Sequence, residues 1–471
     1  MWITLALILP LLAGVAHQAA VPSYEVEVYF VVDRAVVDRY VAEQTNGQTQ
    51  PALESLNADI DYFLTEINGM YASLEEKGFN IRILKKKVDI LDVNLFYDNT
   101  DVDPGLKAFD AWLLSTGAYA SINYDAAILW TGFELVSGYD AGVAGYAHVG
   151  EICKTVNSSG IAEYDLTYST SITTAHELAH IMGAGHDSDI TGYIMVPKSS
   201  AVEENRWKFS LCTKEAFDAA VGKLSSNCLL SSSAESTAQA AGITDALGNP
   251  DTVCRRSEQD QNSYMCKSPA FYDGVTPQGD TVCKRIWCKE TGTSYCNSAF
   301  SSDGLICGTN KRCNDGKCED NPDSESALVT DECIWGDQAS VSFSTSSGHY
   351  EGDCPGLIDF LGKSACGSAT VETTCCKTCE DLHTGIEGCE YGDTFDNCNA
   401  YTQRQICDNY RDICCEFCHG YRKKRSADSD GKSSKLTLDL PPGGVKVTDD
   451  LQRKPDSAPN INTNGGPREA V

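Results

Sequence analysis

The residues with the most chemical content lie together in Thr174-Ala-His-Glu-Leu-Ala-His-Ile-Met-Gly-Ala-Gly-His-Asp187. On a helix, His176 and His180 are one turn apart, so both imidazoles leave the same face and can share one ion. Gly183 readily takes a left-handed backbone conformation and would end that helix, turning the chain so that His186 supplies a third nitrogen. Three neutral imidazoles suit Zn²⁺ and leave its fourth tetrahedral position for water. Glu177, beside the first ligand, is placed to accept a proton from that water. The chemistry is metal-assisted hydrolysis. A lone buried histidine is usually structural, and a bare H-E-x-x-H arises by accident. With 8 His and 39 Gly in the chain, three histidines with Glu and Gly at this spacing have a chance expectation on the order of 10⁻⁵.

A site of this kind needs a scaffold, and residues 21–230 supply the patterns for one. Glu27-Val-Tyr-Phe-Val-Val-Asp33 is β-rich, and Asn80-Ile-Arg-Ile-Leu and Ala126-Ala-Ile-Leu-Trp130 also read as strands. Leu53, Leu56, Ile60, Phe63, Leu64, Ile67, Met70, Tyr71 and Leu74 recur at helical spacing, and Leu106–Leu114 is predicted helical. The alternation implies an α/β domain over 21–230, closing in a Ser-rich seam between Ser225 and Ser236.

The rest of the chain is different. Of 23 cysteines, none precedes Cys153 and twenty fall from Cys254 to Cys418. That density suits a disulfide framework in an oxidising compartment. Eight form a first block in 231–325, and two six-cysteine sets follow in 326–382 and 383–421. Both sets end in Cys-Cys-x-x-Cys, which reads as an internal repeat. Since 23 is odd, at least one thiol is free or intermolecular.

At the N-terminus, residues 1–20 are apolar and end in small residues, the pattern of a secretory leader cleaved after Ala16 or Ala20. A membrane anchor is the alternative, but the run is short for a span. Arg422-Lys-Lys-Arg425 opens a polar tail over 422–471 and reads either as a processing site or as a charged linker. The net charge of −30 argues against nucleic-acid partners and anionic membranes. It is spread over the two folded portions, which suits a solvated surface or, less directly, a calcium-rich setting.

With these residues in view, the chain resembles the metzincin metallopeptidases, whose signature adds a Met-turn after the third histidine. Tyr193-Ile-Met195-Val-Pro197 stands at a suitable distance, and Asp187 directly after His186 resembles the adamalysin/reprolysin (ADAM and ADAMTS) branch. Tyr24–Asp33, Tyr124–Thr131, Gly145–Cys153, Phe209–Cys212 and Cys228-Leu-Leu also fit, so the resemblance covers roughly 21–230.

The resemblance implies a twisted mixed sheet with long helices and a zinc helix, followed by small disulfide-rich modules. It implies zinc on His176, His180 and His186, Glu177 as general base, and Met195 as the floor beneath the metal. Gly145–Gly150 becomes the edge strand that pairs with an extended substrate; His148 lies there and is not an expected ligand. Cys153 and Cys228 would form the domain's disulfide, leaving Cys212 without an evident partner. A structural calcium maps to Glu27, Asp125 and the Cys228 carbonyl, with Ser231 where the family usually has Asn.

Val282–Cys288, Ser302–Gly308 and Cys313–Cys318 resemble the ADAMTS disintegrin-like and cysteine-rich region, and the last module is vaguely similar to ShKT domains. No thrombospondin-type repeat is visible. The similarity starts directly after the leader, which implies no prodomain. Asn157-Ser-Ser159 is a glycosylation sequon.

The resulting expectation is a secreted, extracellular zinc metalloendopeptidase acting on extracellular or matrix proteins, with no membrane span. The alternatives are an adhesion or matrix protein working through its Cys-rich modules, and a venom or salivary toxin. Oligomeric state is left open.

Overall fold

The structure, a computed structural model, describes residues 23–422 except 45–46, 96–99, 188–191, 198–204, 234–240, 269–270, 273, 275–276, 294, 322–332, 346–347 and 396. The expected leader, and the tail beyond Arg422, lie outside the described residues.

The first region runs β1 (Ser23–Val32), α1 (Arg34–Glu43), α2 (Thr49–Ala72), β2 (Asn80–Ile90), β3 (Thr100–Asp101), α3 (Val102–Ser115) and α4 (Ala118–Ile122). It continues through β4 (Ala126–Thr131), β5 (Leu135–Ser137), β6 (Asp140–Val143), β7 (Gly145–Ala147), β8 (Ser159–Glu163), α5 (Ser169–Ile181) and α6 (Leu211–Val221). The main sheet has the order β2-β1-β4-β8-β7. Its inner pairings are parallel, and only β7 runs antiparallel, against β8. This is the α/β mixed sheet expected.

The continuous apolar run of β1 follows from burial on both faces, as in parallel sheets covered by helices. Val26, Val28, Phe30 and Val32 pack with α1, α2 and α5 on one side, while Tyr29 and Val31 pack with Leu106, Phe109 and Leu113 of α3 on the other. Two details differ from expectation. β2 runs to Ile90, six residues past the apolar Asn80–Leu84 stretch, because the β1 ladder carries Lys85–Asp89 along with it. The edge strand ends at Ala147 rather than Gly150, and the chain turns away there.

The core does not stop at the Ser-rich seam. Ser233 donates from its N–H and hydroxyl to Glu27 Oε1 at 2.8 and 2.7 Å, so the seam is docked on β1 at that residue. The cluster around α2 and α5 continues into Cys254, Met265, Val282, Cys288, Phe300 and Cys313 of the first Cys-rich block. Arg256 crosses the junction with its side chain only 1% exposed. Its guanidinium donates to Glu43 at 2.7 and 2.9 Å, to Asp59 at 2.9 Å and to the Leu166 carbonyl at 3.0 Å. Gly316 lies flat on Trp207, where a Cβ would come within 2.1 Å of the indole.

The bridges in that block are Cys254–Cys288, Cys266–Cys296, Cys283–Cys313 and Cys307–Cys318. In the two terminal modules the pairings are Cys333–Cys376, Cys354–Cys375, Cys366–Cys379 and then Cys389–Cys415, Cys398–Cys414, Cys407–Cys418. Both modules join first to fifth, second to fourth and third to sixth, so they share one framework as the common ending suggested. Asp337 and Asp393, each four residues past the first cysteine, bind backbone N–H groups beside the last one (Thr378, and Glu416 with Phe417). Lys267 ties the first module to the preceding block, its buried ammonium donating to the carbonyls of Trp335, Gly336 and Asp337 at 2.8–3.0 Å.

Candidate metal centre

α5 carries the metal motif, and its composition explains its position. Ser169-Thr-Ser-Ile-Thr-Thr-Ala175 contains only small or β-branched residues, so the helix sits buried between the sheet and α2. Such a sequence has little intrinsic helix preference, and packing must hold it. Trp130 Nε1 donates to Thr174 Oγ1 at 2.8 Å, and Tyr71 of α2 donates to the Ala175 carbonyl at 3.0 Å. The helix ends as expected. Gly183 has φ of +105°, and the Ala184 and Gly183 N–H groups bond back to the Ala179 and His180 carbonyls at 2.9 and 2.8 Å, a Schellman closure. A side chain at Gly183 would also meet Ala220 of α6 at 2.9 Å.

Beyond that turn the three histidines converge. Ring centroids lie 4.6 Å (His176–His180), 5.2 Å (His176–His186) and 4.8 Å (His180–His186) apart. One nitrogen from each lies within 4.8 Å of the other two. His176 Nδ1 and His180 Nδ1 are bonded to the Ile194 and Ala184 carbonyls at 2.7 and 2.8 Å. Because a carbonyl only accepts, both Nδ1 atoms carry the hydrogen and both Nε2 atoms keep a free lone pair. His176 Nε2 is buried with no hydrogen-bond partner among the described residues, although it is polar and part of the cluster. Burial holds the His176 imidazole down to about 3 and that of His180 down to about 4, so both are neutral near pH 7. An orphaned nitrogen among three neutral imidazoles is the donor set that Zn²⁺ takes.

The expected Met-turn is bonded into this arrangement. Met195 is fully buried, and its carbonyl accepts from Asp187 N–H at 2.7 Å, while Ile194 next to it holds His176. Asp187 Oδ1 accepts from Ser210 Oγ at 2.8 Å, which fixes the residue after His186 to the start of α6.

Glu177 is buried, and burial raises its carboxyl pKa well above the usual range. Its Oε2 has no partner among the described residues. β7 passes directly over it: a Cβ on Gly145 would stand 2.5 Å from Glu177 Oε1. Only glycine lets the edge strand approach the carboxylate so closely. No sequence rule marked Gly145 for this role, since the contact spans the fold.

Cys153 and Cys228 are bridged, and Cys212 is the free, exposed thiol. Asn157 is exposed, at φ of +66°. The expected calcium ligands meet a cation already present. Glu27 and Asp125 are adjacent, with Glu27 N–H donating to Asp125 Oδ2 at 2.9 Å. The ammonium of Lys86, its side chain 6% exposed, sits 3.2 Å from Glu27 Oε1. Ser231 is exposed, and Ser233 is the residue seen bonded to Glu27. A buried carboxylate needs a positive partner, and here the chain supplies its own.

With this geometry in hand, residues 27–232 match the Reprolysin (M12B) family of zinc metalloproteases. The chain carries a metzincin domain of the reprolysin branch. Similar proteins include "A disintegrin and metalloproteinase with thrombospondin motifs 1" of Bombyx mori, 28% identical over 264 residues that cover 52% of this chain and 24% of that protein. Human "A disintegrin and metalloproteinase with thrombospondin motifs 19" is 26% identical over 245 residues, covering 50% of this chain and 19% of that protein. The chain spans about a quarter of the length of the curated relatives it matches. Among solved structures, metalloproteinase-II from Bacteroides fragilis is similar at 16% identity and a TM-score of 0.30, covering 44% of this chain and 55% of that one; a likeness that distant carries no argument. No helix among the described residues of this reprolysin-type chain is long and apolar enough to cross a membrane.

Proposed function

We propose that the chain is a secreted zinc metalloendopeptidase that hydrolyses peptide bonds in extracellular proteins, matrix components among them. The observation that carries this reading is the buried, unpartnered His176 Nε2 at the centre of three converging imidazoles, next to an equally unpartnered Glu177 carboxylate oxygen.

His176, His180 and His186 would hold the zinc. Zn²⁺ bound there supplies Lewis acidity, polarising the scissile carbonyl and lowering the pKa of water from 15.7 to about 7. Glu177, which burial alone would keep protonated and a cation held by the histidines would ionise, accepts the proton that the attacking water loses and passes it to the departing amine nitrogen. The carbonyls of Ile194 and Ala184 keep the rings in one tautomer and orientation. Among the described residues β7 has a neighbouring strand on one side only, and an extended peptide can add on the other as another strand.

Secretion fits the leader-like residues 1–20, the eleven bridges and the sequon at Asn157. It is tested by recovering the protein from the medium of expressing cells, where retention inside them speaks against it. We place no calcium at Glu27 in this reading, since Lys86 already lies beside that carboxylate.

The activity test uses the full secreted protein on casein and gelatin. Cleavage is expected to stop with o-phenanthroline and to fall at least about 10²-fold in Glu177→Gln. Withdrawing calcium at constant zinc is expected to leave cleavage unchanged. A Glu177→Gln protein that cuts at the parental rate removes Glu177 from the mechanism.

A further inference from the structure

β7 is the outermost strand and only three residues long. It pairs with β8 through Gly145–Ala162, Tyr146–Ile161 and Ala147–Gly160. A ladder that short holds an edge strand weakly, well under the usual length of about five or six residues. Yet Gly145 must lie against Glu177 with no slack. Two sets of bonds take over where the ladder ends.

The first set comes from the zinc helix. Gly150 N–H donates to the His180 carbonyl at 2.9 Å and Ile152 N–H to the Ile181 carbonyl at 3.0 Å, so the chain just past β7 is bonded to the last turn of α5. The second set comes from the opposite face of the sheet, where α3 presents Asp110. Its Oδ2 lies 2.8 Å from His148 Nε2, directly after β7, and its Oδ1 accepts the hydroxyl of Ser159, the first residue of β8. A carboxylate accepts, so the His148 ring donates from Nε2. His148 N–H also donates to the Ser159 carbonyl at 3.2 Å. Asp110 is largely buried, its side chain 13% exposed. One carboxylate thus grips the end of the edge strand and the start of its neighbour. Next to the grip, Tyr146 and Val149 are 41% and 57% exposed, apolar surface that an added peptide would cover.

We propose that Asp110 and His148 are positioning residues, a clamp that fixes the Gly145–Ala147 edge over Glu177 so that a peptide paired along it brings its scissile bond to the histidine trio. The proposal rests on the peptidase reading above. Neither residue touches the reacting atoms. The clamp acts through β7, and misplacing a bound substrate by about 1 Å costs on the order of 10²-fold. Its signature is therefore weaker binding of extended peptides with the metal site intact.

The test is made in full-length Glu177→Gln protein, which binds without cutting. The probes are a fluorescent peptide long enough to pair along β7 and acetohydroxamate, which reaches the metal but not the strand. Asp110→Ala and His148→Ala are each expected to weaken peptide binding about tenfold or more, with zinc content and acetohydroxamate affinity at the parental level. Asp110→Asn, which keeps an acceptor oxygen, is expected to restore most of the loss. In the active protein the same substitutions raise KM by a larger factor than they lower kcat. His148→Ala, at the more exposed end, keeps the test decisive if Asp110→Ala fails to fold. Unchanged peptide affinity in His148→Ala overturns the clamp, as does parallel loss of peptide, acetohydroxamate and zinc, which marks general unfolding. If Glu177→Gln protein with normal zinc binds no peptide and the wild type cuts none, the peptidase reading fails and the clamp with it.

Discussion

Residues 23–233 fold around apolar clusters on both faces of a five-stranded sheet and contain one bridge, Cys153–Cys228. Residues 333–418 carry six bridges around two small clusters in which the cysteines are a large share of the buried residues. The contrast is one of size. A chain of about 40–60 residues buries too little apolar surface to offset its ordering entropy, and covalent links that restrict the unfolded state make up the difference. The first Cys-rich block lies between these regimes, bridged four times and yet sharing the core of the reprolysin domain. The half that carries the metal motif is the half held by packing, so catalytic geometry does not depend on redox state to the degree that the modules do.

The largest effect expected from this contrast is on reduction. Each native bridge in a small domain contributes about 2–5 kcal/mol, so a reductant is expected to unfold residues 333–418 while residues 23–233 keep their sheet. Hydrogen exchange measured with and without reductant checks this; equal loss of protection in both regions would break the comparison. Next comes the junction. Arg256→Met leaves Asp59 and Glu43 without their counter-charge, Asp59 fully buried, at a cost of about 3–5 kcal/mol. Urea unfolding reads that loss. A change below about 1 kcal/mol would mean that the block and the reprolysin domain are less dependent on each other than their shared core implies.

Acid gives the smallest effect and sharpens the comparison. Without metal, burial holds the folded His176 and His180 pKa values at about 3 and 4. Unfolded imidazoles take protons near 6.5. Below about pH 6.5 the unfolded state therefore binds more protons than the folded one, and stability falls until the folded pKa values are reached. Zinc-stripped protein is expected to lose about 2–4 kcal/mol between pH 7 and pH 5, with the loss in residues 23–233. Denaturant titrations at the two pH values measure it; a flat response would mean that the unoccupied trio is not desolvated.

The difference between the two regions also explains what the sequence could reveal. The zinc trio was legible because its ligands lie within eleven residues, His176 to His186, where helical spacing and one glycine turn set the geometry. α2 was legible from its apolar period, and the modules from their shared Cys-Cys-x-x-Cys ending. α1 was not: Val36, Val37 and Tyr40 follow the β-rich start without a helical stripe long enough to separate them from it. β8, Ser-Gly-Ile-Ala-Glu, lacks a strand's apolar pattern and takes its conformation from its place between β4 and β7. Contacts made across the fold left no local trace. Lys86 meets Glu27 from 59 residues away and Asp110 meets His148 from 38, and no periodicity connects either pair. The expected calcium positions Glu27 and Asp125 were readable in the sequence, while the lysine beside Glu27 was not. The Ser-rich seam between Ser225 and Ser236 likewise carries no local sign of the bonds that Ser233 makes to Glu27 of β1.

The most direct test of the central claim is elemental analysis of intact, folded protein. Stoichiometric zinc is expected in the wild type and in Glu177→Gln, and its loss is expected in His176→Ala, His180→Ala and His186→Ala variants that remain folded. Folded wild-type protein without stoichiometric transition metal, or zinc retained at the wild-type level when these histidines are removed, would contradict the account.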